Sequence, residues 1–503
     1  MWWIGTQRAW NFKLIVCAVI ACAGLWASGS QAAAGALEVI QQDRARLESE
    51  FAAQLERLAA TCEAQGLTDE ARKTRQLTRP RDPWTLYVVT LSGDVDEDLT
   101  SDSSAPAARQ WEAELRKLGE AHAAGLLELA RQAMRAKHAS LGYELVLAML
   151  RVDPDNEQGR KLLGFIRYKG RWHTPFEVEK LRKGQVWHDQ FGWLPAGYVS
   201  RYEAGERYCN GRWISREEET RLRSDMSRAW HVETEHYSIR TNHSLEAGVK
   251  LGQRLERLYR AWQQTFAAYY ASPEQLLRLF EGRGAGRGDQ GPRHLVTHFR
   301  NREEYNRALE GHIPRDVATT GIYLGDMRTA YFFATDDEDH STLYHEASHQ
   351  LFSETRDVVA NIGLRANFWI LEGIACYMES LSQHGGFDTL GGTRAPRLAA
   401  ARHRALADQF YVPLEQLTLL GMSQLQRDPR IAKLYSQSAG LTHFLMHFHD
   451  GLYRDALLGY ISAVYSGVDR PGTLAELTGK SYSELDREYR EFLEQLPIEA
   501  AAK

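Results

Sequence analysis

The stretch STLYHEASHQLF, residues 341–352, contains the residue types and the spacing that a catalytic zinc site requires. His345 and His349 are four residues apart, so on a helix both imidazoles lie on one face and can reach one ion at about 2.1 Å. Glu346 lies beside this pair and can act as general base toward a zinc-activated water. The same residues would also fit an ordinary buried helix, so the interpretation depends on the surrounding sequence.

A catalytic zinc ion needs a third protein ligand, and the stretch NFWILEGIACYMES, residues 367–380, offers Glu372. This carboxylate lies among apolar residues of a predicted helix that Asn367 caps. Burying it unpaired would be costly, and a metal ion is the partner that would account for it. Gly363 lies in the polar stretch between the two helices and predicts the reversal that brings Glu372 beside the histidines.

The elements that must position these helices are predicted from periodicity. Alternating apolar residues indicate strands, and a longer amphipathic stretch indicates a helix. We expect strands at 236–242 and 294–300, a helix at 245–270, and a hairpin formed by 319–324 and 329–335. The edge of this hairpin is also a candidate binding surface, where an extended peptide substrate could form main-chain hydrogen bonds.

HExxH followed by W-x-x-E-G-x-A resembles the gluzincins, the thermolysin-like zinc peptidases, and is most similar to the bacterial peptidase MA-like group, which includes uncharacterised domains of secreted proteins. The resemblance covers residues 231–495, where YSQSAGLTHFLM also fits. It implies His345, His349 and Glu372 as zinc ligands and Glu346 as catalytic base. It also implies an α+β fold in which a small twisted sheet packs on the active-site helix and a helical subdomain follows.

The same resemblance directs attention to two further positions. Gluzincins tend to place a Tyr or His near the oxyanion, and Tyr435 and His443 are the candidates; Tyr435 is our choice of catalytic residue. Thermolysin-like members often have an acid one turn after the glutamate ligand, but this chain has Cys376 there. A carboxylate that orients a histidine must therefore come from elsewhere.

Two other histidines are an alternative candidate for a metal site. His443 and His447 are also four residues apart. No acid lies between them to activate water, and the aromatic neighbours indicate a packing helix.

The N-terminal half is predicted to contain separate units. Residues 1–34 have the basic, apolar and small-residue regions of a secretory signal, and VIAC within them would alternatively leave Cys22 as a lipid anchor. Residues 37–105 indicate a helical segment and an acidic linker, and 106–166 a helical hairpin similar to a tetratricopeptide unit. Residues 167–230 contain two Gly-Arg-Trp repeats, each predicted to be a β-hairpin followed by a capped helix.

Composition excludes several classes of protein. The net charge of −5 and the lack of a long basic block argue against a nucleic-acid partner. No run after the signal is apolar enough for a transmembrane helix. Cys62, Cys209 and Cys376 are widely spaced and odd in number, which fits neither a disulfide scaffold nor a cysteine zinc site.

The sequence therefore predicts an exported zinc metallopeptidase, periplasmic, secreted or attached to the cell envelope, that hydrolyses peptide or protein substrates. The alternative is a non-catalytic binding or scaffold protein that retains the zincin-like fold. In that case the N-terminal modules would form its binding surface. Zinc content and the effect of Glu346→Gln distinguish the two.

Overall fold

The computed structural model describes residues 16–77, 82–91, 105–280, 291–313, 319–335, 339–384 and 387–497, with side chains from residue 35 onward except at 273, 279, 384 and 387. Within these residues helices predominate and the strands form small sheets, so the predicted α+β class is confirmed. Residues 1–15 of the predicted signal and residues 92–104 of the predicted linker lie outside the described residues.

The N-terminal helices pack side by side. They are α1 Val16–Ala64, α2 Thr68–Gln76, α3 Pro106–Arg135, α4 Ala139–Val152 and α5 Glu157–Leu162. Helices α3 and α4 form the predicted helical hairpin, and α1 packs against α3. Buried residues such as Leu55, Ala130 and Leu145 fill the spaces between them. Among the described helices, none is both long enough and apolar enough to cross a membrane.

Three hairpin-and-helix modules follow, one more than the sequence repeats predicted. They are β2 Ile166–Tyr168, β3 Arg171–His173 and α6 Pro175–Arg182; β4 Gln185–His188, β5 Gly192–Pro195 and α7 Val199–Glu203; and β6 Glu206–Cys209, β7 Arg212–Ser215 and α8 Arg216–Arg223. The middle module lacks the Gly-Arg-Trp tripeptide, so the sequence does not indicate that it is a third repeat. Trp172 is 3% exposed and donates to Asp155, which makes it a packing residue.

The helix starts of these modules follow the capping rules in part. The sequence predicts capping boxes at Thr174 with Glu177 and at Ser215 with Glu218. Thr174 accepts from the Glu177 N–H and the Glu177 carboxylate accepts from the Thr174 N–H, so the first capping box is confirmed. Ser215 accepts from the Glu218 N–H in the same way. The Glu218 carboxylate instead binds Arg212 at 3.0 Å, because the preceding hairpin brings that guanidinium within reach.

A five-stranded sheet forms the centre of the next region. Its elements are β8 Trp230–Glu233, β9 Tyr237–Thr241, α9 Leu245–Thr265, α10 Ala267–Tyr270, α11 Pro273–Phe280, β10 His294–Phe299, α12 Arg302–Ala308, β11 Gly321–Leu324, β12 Thr329–Phe333 and α13 Ser341–Glu354. The strand order is β11-β12-β10-β9-β8, with antiparallel strands at both edges and parallel strands between them. The predicted strands and hairpin are confirmed. Helices α9 and α13 pack on the sheet and on each other.

The C-terminal region is mainly helical. It contains α14 Phe368–Met378, β13 Ser382–His384, β14 Phe387–Gly391, α15 Pro396–Leu406, α16 Leu414–Thr418, α17 Met422–Gln426, α18 Ile431–His447, α19 Arg454–Tyr465, α20 Thr473–Thr478 and α21 Tyr482–Gln495. Every residue of α14 is buried, because α18 covers one side and α13 the other. These two contacts bring the predicted ligand helices together.

Asn367 occupies the N-cap position of α14 as predicted, but its side chain does not cap the helix. The residue has a left-handed backbone with φ of 59°, and its side chain makes no capping bond. Its amide instead accepts from the Tyr460 hydroxyl at 2.5 Å and donates to Asp469. Asparagine tolerates this conformation, and the partners on and after α19 satisfy its amide.

The N-terminal helices are tied to the C-terminal region. Strand β1, Thr85–Val88, pairs antiparallel with β14, and Val88 is 3% exposed in the main core. The side-chain amide of Gln264 binds the backbone N–H and carbonyl of Val89 at 2.9 and 2.8 Å. Glu144 on α4 binds Arg44 on α1 at 3.0 Å and Arg454 on α19 at 2.8 Å.

Candidate metal centre and cleft

Helix α13 holds the two histidines at the boundary between core and cleft. The sequence predicts that Asp339 or Ser341 caps this helix, but the N-cap position falls on His340, whose side chain makes no capping bond. Asp339 accepts from the Ser341 N–H at 2.8 Å just outside the cap position. Ala347 and Leu351 are fully buried against the sheet. The side of the helix that carries His345, Glu346 and His349 is partly buried and lines a cavity. The helical period thus separates a packing face from a polar face.

Helix α14 brings Glu372 against this polar face. Gly363 has φ of +67° and its carbonyl accepts from the Met422 N–H, which confirms the predicted turn before α14. Gly373 has a second function. A Cβ there would lie 2.8 Å from the Ser438 carbonyl oxygen and 2.6 Å from the Thr442 hydroxyl. The glycine after Glu372 therefore permits the close approach of α18.

Three donor atoms converge at the centre of the site. His345 Nε2 lies 3.2 Å from His349 Nε2 and 3.3 Å from Glu372 Oε2, and the third separation is 3.9 Å. A tetrahedral zinc ion with bonds of about 2.1 Å separates its ligand atoms by about 3.4 Å. Both donor types and separations therefore fit zinc, and the three residues form a group that could hold a metal ion.

The protonation states of two of the three donors suit a metal site. Burial favours a raised pKa for Glu372, but the hydrogen bond from His345 and the nearby imidazoles hold this pKa below its usual value. Burial lowers the pKa of His349 to about 4, so its imidazole is neutral at physiological pH. An anionic carboxylate and a neutral imidazole are the forms that bind a metal ion. Burial lowers the pKa of the third donor, His345, but its hydrogen bonds with Cys376, Glu372 and Glu379 outweigh burial and hold that pKa well above 6.5, so a metal ion there would displace a proton.

Glu379 supplies the carboxylate that the position of Cys376 does not. Its Oε1 lies 2.9 Å from His345 Nδ1, and Arg397 donates to both of its oxygens at 2.8 and 3.1 Å. Residues 372, 376 and 379 follow the i, i+4, i+7 pattern of one helix face. Glu379 is not among the site residues predicted from the sequence, although this spacing indicates it. The bond to Nδ1 directs Nε2 of His345 toward Glu372.

A second group of donors lies on the other side of His345. Its Nδ1, Cys376 Sγ and a Glu379 oxygen are also close enough to hold an ion. The guanidinium of Arg397 already neutralises Glu379 and would repel a cation there. Burial raises the pKa of the Cys376 thiol, so it stays protonated. The group formed by His345, His349 and Glu372 is the better cation site.

Glu346 is placed as a base next to the donor atoms. Its Oε2 accepts from the backbone N–H of Tyr323 on β11 at 3.0 Å. Burial raises the pKa of Glu346 to about 7, against the lowering effects of His345 and of that N–H. A carboxyl group with a pKa near neutrality can accept and release a proton at physiological pH.

Tyr435 reaches the site and His443 does not. Tyr435 on α18 lines the cavity, and its hydroxyl lies near the Glu372 carboxylate. Burial and the nearby carboxylate raise its pKa, so its hydroxyl remains a donor. His443 is fully buried beside Tyr377, with ring centroids 4.8 Å apart, and His447 Nε2 lies 3.0 Å from the Tyr377 hydroxyl. No carboxylate joins these two histidines in a metal-binding group within the described residues.

The cavity in front of the site has a volume of about 880 Å³. Strand β11 forms one side and helices α13, α14 and α18 form the base. Val358, Ile362, Leu364 and Met422 form an apolar wall. Its described lining residues all lie between 319 and 465, so the hairpin-and-helix modules take no part in it.

Comparison with known proteins gives no family for this chain: no family model matches it, and no curated protein matches it.

Proposed function

We propose that this chain is an exported zinc-dependent peptidase with a zincin-like domain over residues 231–495. The observation that carries the proposal is the convergence of His345 Nε2, His349 Nε2 and Glu372 Oε2, with Glu346 beside them at the base of a large cavity. A zinc ion held there would supply Lewis-acid chemistry, polarising a carbonyl and acidifying water.

The edge strand β11 supports a peptide as the substrate. It lies beside α13 and pairs on one side with β12, so its outer edge faces the cavity. The Tyr323 N–H on this edge already binds Glu346, and the remaining outward groups of the strand can form main-chain hydrogen bonds with an extended peptide. The apolar wall opposite can receive a substrate side chain.

The residues of the chain divide the proposed reaction between them. Glu346 accepts a proton from the attacking water as the C–O bond forms, and then returns this proton to the leaving amine nitrogen as the C–N bond breaks. Tyr435 donates its hydroxyl to the oxygen that becomes negatively charged. Glu379 and Arg397 hold His345 in the orientation that directs Nε2 toward the reaction centre.

Metal analysis by mass spectrometry on purified wild type, Glu346→Gln and Glu372→Ala tests the proposal. We expect one zinc per chain in wild type and in Glu346→Gln, and little or none in Glu372→Ala. A peptide library should be cleaved by wild type, and by Glu346→Gln about 100-fold more slowly or worse. Wild type without zinc, or Glu346→Gln that cleaves as wild type does, would contradict the proposal. Zinc without cleavage would favour the binding-protein alternative.

Export rests on the N-terminal sequence pattern and has its own test. Mass spectrometry of the mature N-terminus distinguishes cleavage near residues 32–36 from processing at Cys22 with added lipid. An intact N-terminus on the protein in its native cell would contradict export by this route.

A further inference from the structure

Tyr323 connects the edge strand β11 to α13 at two points. Its backbone N–H donates to Glu346 Oε2 at 3.0 Å, and its side-chain hydroxyl donates to Glu354 Oε1 at 3.1 Å. Glu346 and Glu354 are eight residues apart on α13, slightly more than two turns. One residue of the strand is therefore held by two carboxylates of the helix that carries the metal-binding histidines.

The direction of the Tyr323 N–H follows from strand geometry. Tyr323 pairs with Ala330 in the antiparallel register of β11 and β12. Successive N–H groups along a strand point to opposite edges, so those of Ile322 and Leu324 point toward β12. The N–H of Tyr323 points away from the sheet and toward α13, where Glu346 is its acceptor.

Glu354 is a fixed anchor for the Tyr323 hydroxyl. Its side chain is 4% exposed, and its Oε2 lies 2.7 Å from Nδ1 of His294 on the central strand β10. Gln350 donates to its Oε1 at 3.3 Å and to the Leu295 carbonyl at 3.1 Å. The position of the anchor is thus set by the middle of the sheet and by the last turn of α13.

We propose that Tyr323, Glu354 and His294 form a positioning unit that orients the base Glu346, an inference that rests on the proposed peptidase function. The unit holds the strand so that its N–H binds Oε2 of Glu346, which leaves Oε1 to accept the proton from water. Of the standard residues only proline removes a backbone donor, and it would also constrain the strand. The placement of this donor can be disturbed by removing the hydroxyl that anchors it.

The test uses full-length Tyr323→Phe, with Tyr331→Phe on the neighbouring strand as a matched control because that hydroxyl contacts Met327 instead. Amide hydrogen exchange is measured at single-residue resolution. We expect the Tyr323 position to exchange at least tenfold faster in Tyr323→Phe, with Ile322 and Leu324 unchanged, and no change in the control. Unchanged exchange at residue 323 would overturn the proposal, as would an equal increase at all three amides, which would indicate a loosened hairpin.

Two substitutions at Glu354 test whether a hydrogen-bond acceptor at this position is what anchors the Tyr323 hydroxyl. Glu354→Gln keeps an acceptor for the Tyr323 hydroxyl and should retain the slow exchange, whereas Glu354→Ala should lose it. Glu346→Ala should also accelerate exchange at residue 323, because it removes the acceptor itself. Equal exchange rates in the Gln and Ala variants of Glu354 would contradict the anchoring role.

Kinetics separate positioning from substrate binding. With a cleaved peptide, Tyr323→Phe should lower kcat about tenfold and leave KM within twofold, with the zinc content unchanged. A change confined to KM would contradict the role of the unit in orienting the base. If wild type cleaves no peptide, the peptidase proposal fails, and the exchange pattern alone then decides whether this unit positions Glu346.

Discussion

Replacing Glu379 by alanine is expected to weaken the proposed zinc binding although the three proposed ligands remain. Glu379 accepts from His345 Nδ1 at 2.9 Å, and removal of such a partner commonly costs about 10- to 100-fold in metal affinity. Two features favour the upper end, about 100-fold or 2.7 kcal/mol. The side chains of His345 and Glu379 are only 13% and 11% exposed, so water replaces the lost bond poorly. The variant also leaves the Arg397 guanidinium uncompensated near the bound cation.

Competition with a chelator of known zinc affinity measures this effect. Glu379→Gln keeps an acceptor but loses the charge, and we expect a smaller loss of about tenfold. Glu476→Ala is the control, because it breaks a surface ion pair with Arg470 whose side chains are 62% and 74% exposed. A zinc Kd for Glu379→Ala within twofold of wild type, in a normally folded protein, would refute the reasoning about His345.

Three further predictions concern the ligand set, the pH dependence of stability and helix packing. Cys376→Ala should retain one zinc per chain by mass spectrometry, whereas Glu372→Ala should lose it. Burial lowers the pKa of His443 from 6.5 to about 3, so between these values the unfolded chain binds a proton that the folded chain does not, and stability falls as pH falls. The loss from pH 7.5 to pH 5 is about 2 kcal/mol for this group, and urea unfolding of His443→Phe should show a pH dependence smaller by that amount. Gly373→Ala should lower stability by about 1–3 kcal/mol in thermal unfolding, because its Cβ meets the backbone of α18.

Each of these has an outcome that would contradict it. Loss of zinc in Cys376→Ala would assign the ion to the group formed by His345, Cys376 and Glu379. Equal pH dependence in wild type and His443→Phe would mean that this imidazole is not held neutral by burial. Unchanged stability in Gly373→Ala would mean that α18 can move away without cost.

Local sequence patterns were sufficient for much of the site. The apolar period of residues 341–352 predicted the helix, the HExxH spacing predicted which side chains share a face, and Gly363 predicted the turn. The alternation of apolar and polar residues predicted the central strands and the hairpin, because successive side chains of a strand point to opposite faces of the sheet. The proximity of Glu372 to the histidines followed from one turn between two helices.

The rest depends on contacts between distant segments. Strand β1 is four residues long, and nothing in TLYV indicates that it pairs with β14 about 300 residues later. Tyr323 was placed in the hairpin, but its bonds to Glu346 and Glu354 require the packing of β11 on α13. The middle module keeps the hairpin-and-helix geometry without the Gly-Arg-Trp letters, so a search for repeated letters could not find it.

Three carboxylates surround His345, and their partners assign them different functions. Glu372 and Glu379 bind imidazole nitrogens, and Glu379 also binds Arg397; these contacts hold both pKa values low despite burial. Glu346 has the Tyr323 N–H as its hydrogen-bond donor, and burial raises its pKa to about 7. The carboxylates of Glu372 and Glu379 therefore stay ionised and are suited to bind a metal ion or to orient a histidine. The carboxyl group of Glu346 can take up and release a proton near neutral pH. Burial sets the raised pKa of Glu346, and the Tyr323 N–H works against it by lowering that pKa, so the placement of β11 tunes how readily this carboxyl group takes up a proton.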